Sequence, residues 1–269
     1  MSKNISDAVR EVCLSFPEAE EYESRGSPNY RVRGKTFATY VLNHHGDGRV
    51  ALWIGSPLGA QSVHVKAHPK HFFVPPYVGP SGWLGINLDK GVSWKRVVEL
   101  VREAYEKVAP PALRGAIGKP IVIKPPTTKL KPEEIDPLKS KRALAVLKEM
   151  RAICLALPES TEDLQFGAPV WKGGKKTFAM VYAYDKPKIH VSFWVGVERQ
   201  SFFIADSSFS IPAYMGHNGW IALDVTKRHN RHELQALAAD SFRHFANKRM
   251  LAALDPSDGQ LDRLVKPRR

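Results

Sequence analysis

The chain has 269 residues, a net charge of +13 and two cysteines. That length accommodates two ordinary domains, each large enough to bury a core without disulfides or metals. No apolar run approaches the ~20 residues of a membrane span, and the opening Met-Ser-Lys-Asn-Ile-Ser carries no signal-peptide core, so the expected location is cytoplasmic with no membrane partner.

In chain order, Ser6 or Asp7 can cap a helix that runs to about Phe16, with Val9, Val12, Cys13 and Phe16 on one stripe and Pro17 as its stop. Glu18, Glu20, Glu21 and Glu23 then read as an acidic surface loop. Short strands are expected at 30–33, 36–42 and 49–54, with turns at Gly34-Lys35 and Gly46-Asp47-Gly48. Residues 57–70 read as a helix or irregular loop, 83–88 as a last strand, and a final helix starts near Ser93 with Val97, Val98, Val101, Ala104, Tyr105 and Val108 on its apolar side. Seven prolines between 110 and 137, with scattered lysines, suggest a semi-rigid basic linker. Ile121-Val122-Ile123 within it could add a short strand.

The whole order then repeats. Gly26, Pro28, Tyr30 and Gly34-Lys35-Thr36-Phe37-Ala38 return 141 positions later as Gly167, Pro169, Trp171 and Lys175-Lys176-Thr177-Phe178-Ala179. Cys13 matches Cys154, and Trp53-Ile54-Gly55 matches Trp194-Val195-Gly196. After a spacing change of four, Pro75, Tyr77, Gly79, Gly82 and Trp83 match Pro212, Tyr214, Gly216, Gly219 and Trp220, which implies a single indel between Gly55 and Tyr77. One module is written twice. The organisation expected is a first domain over 1–112, a Pro/Lys-rich linker over 113–141, a second domain over 142–252 and a basic, weakly ordered tail over 253–269. Each module reads helix, antiparallel strands, helix: an α+β fold.

Catalytic signatures are missing from the sequence: no Gly-rich phosphate loop, no Gly-x-Ser-x-Gly elbow, and no nucleophile and base recurring together. No enzyme activity or cofactor is expected. His68 with His71, and His229 with His232, have i, i+3 spacing but no further ligands, so they read as surface histidines and not as a metal site. The two cysteines read as buried free thiols. What recurs is a basic turn beside an aromatic residue. Arg31, Arg33 and Lys35 follow Tyr30, and Lys172, Lys175 and Lys176 follow Trp171. A basic hairpin tip can neutralise phosphates, and a neighbouring aromatic can stack or wedge at a base step. Lys227 and Arg228, with Arg231, Lys186 and Lys188, are further candidates in the second copy. The competing reading is a protein- or small-ligand-binding module. Its pocket would use Trp53, Phe73, Tyr77 and Trp83, or Trp194, Tyr214 and Trp220.

Residues 26–38, the run Pro-Pro-Tyr-Val-Gly-Pro-Ser-Gly-Trp-Leu-Gly-Ile at 75–86, and the Trp94 helix ending in Ala104-Tyr105 resemble the MmcQ/YjbR family. Residues 143–250 look like a second, more divergent member, keeping Pro212, Tyr214, Gly216, Gly219 and Trp220 but losing Pro80. The resemblance implies a CyaY-like fold, an antiparallel sheet with both helices on one face, in two tandem copies. It also implies binding of double-stranded DNA through sheet and hairpin surfaces and brings no catalytic residues. Combined with the recurring basic turns, the contact set expected on this chain is Tyr30, Arg31, Arg33, Lys35, Trp171, Lys172, Lys175, Lys176, Lys227 and Arg228. Iron handling, found on the frataxin-like side of the fold, needs an acidic first helix. Here Asp7 and Glu11 flank Arg10, and the second copy has Lys148 and Arg151.

Overall fold

A capping box opens the first helix: the Asn4 side chain accepts from the Asp7 amide while the Asp7 carboxylate accepts from the Asn4 amide. The computed structural model describes residues 4–183 and 188–254. The chain divides into two units, Met1–Asp136 and Pro137–Arg269.

In the first unit the order is α1 (Ile5–Leu14), β1 (Ala19–Ser24), β2 (Ser27–Val32), β3 (Lys35–Leu42), β4 (Val50–Gly55), α2 (Ala60–Ala67), β5 (Phe72–Phe73), β6 (Trp83–Asn87), α3 (Trp94–Val108), α4 (Pro111–Gly115) and α5 (Pro132–Ile135). The second runs α6 (Lys141–Cys154), β7 (Ser160–Gln165), β8 (Ala168–Gly173), β9 (Lys176–Tyr182), β10 (His190–Trp194), α7 (Val197–Ile204), β11 (Phe209–Ser210), β12 (Trp220–Asp224), α8 (Arg231–Phe245) and α9 (Lys248–Leu254). Each unit holds one six-stranded antiparallel sheet, ordered β1-β2-β3-β4-β6-β5 and β7-β8-β9-β10-β12-β11.

Helices cover one face of each sheet. Val9, Val12 and Cys13 of α1 and Val97, Val101 and Tyr105 of α3 bury against Tyr30, Val32, Phe37, Leu52, Ile54, Leu84 and Ile86. In the second unit, Val146, Met150 and Cys154 of α6 and Leu234, Leu237 and Phe242 of α8 do the same against Trp171, Phe178, Val191, Phe193 and Ile221. Both cysteines are buried and free, and burial pushes both thiols above their ordinary range. A bulge recurs between Tyr30 and Arg31 and between Trp171 and Lys172, and it lets Phe37 and Phe178 turn into these cores.

Three expectations are corrected. The acidic run after Pro17 is a strand, β1, with its counterpart β7; charged residues suit it because it is the sheet's edge. Residues 113–136, expected as part of a semi-rigid linker over 113–141, belong to the first unit. Leu113, Ile117, Ile121, Ile123, Leu130 and Ile135 pack on the first core, and 121–123 form no strand. The tail from 255 onward, and Lys186, lie outside the described residues.

The third correction concerns the tryptophans. Thr39 pairs across to Trp53, and Trp53 to Gly85. At the equivalent place Met180 pairs to Ser192, and Ser192 to Ala222. Ser192, not Trp194, is therefore the counterpart of Trp53; Trp194 corresponds to Gly55, since Gly55 faces Trp83 and Trp194 faces Trp220. The turn between the third and fourth strands is two residues shorter in the second unit, and the other two residues are lost between the following helix and β5 or β11.

Candidate nucleic-acid interface

The hairpin tips are the first place to look for a polyanion site. In the first unit Arg33 (φ 49°) and Gly34 (φ 77°) both adopt left-handed backbone between the closing pair Val32 and Lys35. In the second unit Gly174 (φ 66°) starts the turn between Gly173 and Lys176. Lys35, Lys175 and Lys176 are exposed at these tips. Among the described residues none of the three has an ion-pair partner, and the same holds for the exposed Lys227 and Arg228, which precede α8.

The rest of the expected contact set is already neutralised by the edge strand. Arg31 pairs with Glu20 at 3.1 Å and lies over the Tyr22 ring at 4.8 Å. Arg33 pairs with Glu18 at 2.5 Å. Lys172 holds Asp163, and that hydrogen bond, helped by the Leu164 amide, lowers the Asp163 carboxyl below its usual range. The edge also ties to the helices by a repeated pair, Arg10 to Glu21 at 2.5 Å and Arg151 to Glu162 at 2.8 Å. Arg31 thus faces Glu20 directly across the ladder, Arg33 meets Glu18 just beyond the ends of β2 and β1, and Lys172 reaches Asp163 diagonally, pairings that a loop reading of 18–23 concealed.

Tyr30 and Trp171 are corrected outright. Tyr30 is 1% exposed and Trp171 fully buried. The Tyr30 hydroxyl points at Glu21 Oε1, 3.4 Å away, and burial raises its pKa. Both rings belong to the helix-side cores and cannot reach a duplex.

The face of the first sheet opposite the helices carries a small, buried aromatic layer. One lateral row crosses all six strands as Tyr22, Asn29, Thr39, Trp53, Gly85 and Phe73. The Phe73 ring occupies the space over Gly85, and Arg49 stacks on it at 4.2 Å. Trp53 is buried among Val41, Ala51, Phe73, Val78 and Trp83. The corresponding row in the second unit reads Asp163, Val170, Met180, Ser192, Ala222 and Ser210. Trp194 instead stacks on His244, ring centroids 3.4 Å apart. The aromatic row of the first sheet therefore has no aromatic counterpart in the second.

Both expected histidine pairs lie apart from any metal set: among the described residues no group of three or more His, Cys, Asp or Glu could hold an ion. His229 is not a surface residue. The residue is half-buried, its side chain, 8% exposed, held between Arg142 Nη2 (2.8 Å) and Glu149 Oε2 (2.6 Å).

With this geometry in view, the YjbR family model matches residues 14–107 and 155–244. The chain belongs to the YjbR family. It carries two tandem YjbR copies, one in each unit. A crystal structure of protein DR2400 from Deinococcus radiodurans, titled with the family-model domain DUF419, is similar at 20% identity over 42% of this chain and 87% of its own, with a TM-score of 0.34. No curated protein matches. No helix among the described residues is long and apolar enough to cross a membrane.

Two histidines of the first YjbR copy make its stability pH-dependent. Burial, then the neighbouring His45, lowers the His44 pKa, and its Nε2 is buried without a partner. Burial, then Arg96, lowers that of His64, which lies 3.3 Å from the guanidinium. Both are held neutral, so the unfolded chain binds more protons than the folded one. Their contribution is complete above an ordinary histidine pKa of about 6.5 and is lost as pH falls below it. Urea midpoints at pH 7.5 and about 5 should fall for the wild type and fall less for His44→Gln combined with His64→Gln. An unchanged pH dependence in the double variant would refute the assignment.

Proposed function

We propose that this YjbR protein is a non-enzymatic, cytoplasmic DNA-binding protein whose phosphate contacts come from Lys35, Lys175, Lys176, Lys227 and Arg228. The observation that carries the reading is the β8–β9 tip, where two adjacent lysines are exposed and bear charge that no described carboxylate offsets. The chain's net charge of +13 acts in the same direction. Arg31, Arg33 and Lys172 contribute less, because a phosphate must first displace Glu20, Glu18 or Asp163. Surface pairs of this kind hold by only about 0–1 kcal/mol, so displacement is cheap but not free. The pocket alternative gains nothing from the geometry, since Trp53 and Trp194 are not equivalent.

The test is fluorescence anisotropy of a labelled duplex titrated at several salt concentrations. Each phosphate contact contributes about −0.9 to the slope of log K against log salt. Lys175→Ala with Lys176→Ala should weaken binding evenly across sequences and flatten that slope by about 2. No binding at low salt overturns the reading; binding with an unchanged slope in the variant removes this tip from the interface.

A further inference from the structure

Exposed apolar side chains recur at the same places in both units. In the first they are Leu58 (105% exposed), Val63 (64%), Val74 (52%) and Tyr77 (69%); in the second, Val197 (57%), Phe202 (81%), Ile211 (46%) and Tyr214 (79%). Two anchors establish the equivalence. Gln61 Nε2 donates to the carbonyls of Gly79 (2.9 Å) and Trp83 (2.5 Å), and Gln200 Nε2 donates to those of Gly216 (2.7 Å) and Trp220 (2.8 Å). Leu58 and Val197 lie three residues before these glutamines, and Val63 and Phe202 two residues after. Val74 and Ile211 lie against Gly79 and Gly216, whose missing Cβ atoms would sit 2.5 and 2.1 Å from them. Three of the four positions have changed identity between the copies while staying apolar and exposed.

The arrangement is built, not incidental. The glutamine amides fasten α2 and α7 to the loops at 75–82 and 212–219, so helix and loop present one surface. At the loop tips Tyr77 (φ 64°) and Tyr214 (φ 67°) occupy the left-handed region, which a bulky side chain disfavours. The same strain kept twice at an exposed aromatic points to a contact residue. Scattered surface apolar residues need no explanation, but a set of four that recurs marks an interaction surface.

The flanking charges indicate what covers it. From 57 to 88 there is no Asp or Glu, Lys66 and Lys70 are exposed, and the α3 carboxylates Glu99 and Glu103 are engaged by Arg96, which lies against His64 of α2. The second patch is bordered by exposed Glu198 and Asp206, while Arg199 is engaged by Asp240. Two apolar surfaces of one design, the first with a positive border and the second with a negative one, complement each other. We propose that the chain self-associates, the α2–Tyr77 surface of one copy docking on the α7–Tyr214 surface of another. The contact joins unlike patches, so it closes as a reciprocal dimer or extends head to tail. It does not depend on DNA binding.

Sedimentation velocity of the full chain, across nanomolar to high micromolar concentrations and without nucleic acid, tests this. Concentration-dependent association is expected. Phe202→Ser with Tyr214→Ser should raise the dissociation constant at least tenfold, and Leu155→Ser, exposed outside both patches, should leave it unchanged. Lys66→Glu with Lys70→Glu should weaken association, and adding Glu198→Lys and Asp206→Lys to the same chain should restore it. A monomer throughout the range, association that survives the Phe202 and Tyr214 substitutions, or failure of the charge exchange to restore it would each overturn the proposal.

Discussion

Replacing Gly219 by alanine is expected to destabilise the second unit by about 3 kcal/mol, whereas Gly82→Ala, at the matching place in the first, should cost about 1 kcal/mol. Both glycines follow a short 3₁₀ turn and have left-handed backbone, φ 88° and 81°, so both substitutions carry the penalty of a Cβ in that region. Their surroundings differ. A Cβ on Gly219 would lie 2.8–2.9 Å from backbone atoms of Gly196 and Val197, while one on Gly82 meets nothing within 4 Å. The cause is how each carbonyl is satisfied. Gly219 accepts from the amides of Val195 (2.9 Å) and Gly196 (3.1 Å), which draws main chain against main chain. Gly82 accepts from the Ser56 hydroxyl at 2.5 Å, and that side chain acts as a spacer. Main chain held by two hydrogen bonds has no rotamer to yield, so the overlap adds about 1–3 kcal/mol to the left-handed penalty. Denaturant unfolding with residue-resolved hydrogen exchange would separate the units. Equal losses for the two variants would contradict the account.

The same contrast shows what a sequence can and cannot reveal. The repeat, the proline-stopped helices and the antiparallel strands were legible because periodicity and helix breakers are local signals. The edge strands were not. Ala-Glu-Glu-Tyr-Glu-Ser has little apolar alternation, since only one side of an edge strand meets the ladder and the adjacent strand supplies basic partners. The Trp53 and Trp194 equivalence failed because matching Trp-Ile-Gly to Trp-Val-Gly is a local criterion, while register is set across strands, and a turn shorter by two residues moves every later pair. The basic turns were legible as such. Their neutralisation by Glu18, Glu20 and Asp163 was not, because it depends on which strand lies alongside. Gln61 and Gln200 gave no signal at all, since a lone amide reveals its role only when the carbonyls it bridges are brought to it.

Trp171 shows how far the fate of one aromatic separates two readings. Trp171→Ala is expected to cost about 3–5 kcal/mol, the usual range for emptying a buried aromatic site, and this is a large share of the ~5–15 kcal/mol that holds a typical domain. A base-contacting tryptophan would instead lose DNA affinity with little change in stability. Conservative replacement sharpens the test. Trp171 stands directly across the ladder from Glu162, as Tyr30 does from Glu21. The Trp171 Nε1 is buried without an acceptor, whereas the Tyr30 hydroxyl has Glu21 within 3.4 Å. Trp171→Tyr would reproduce the first unit's arrangement, directing a hydroxyl at Glu162 in exchange for the orphaned indole N–H. Relief of that unmade hydrogen bond, about 1–3 kcal/mol when a buried donor lacks a partner, offsets part of the lost ring volume, so the net cost should be about 1 kcal/mol or less. Chemical denaturation would rank the variants as wild type and tyrosine close together and alanine far below. Should Trp171→Ala unfold at the wild-type midpoint, the ring is not a core element, and its placement in the helix-side core is wrong.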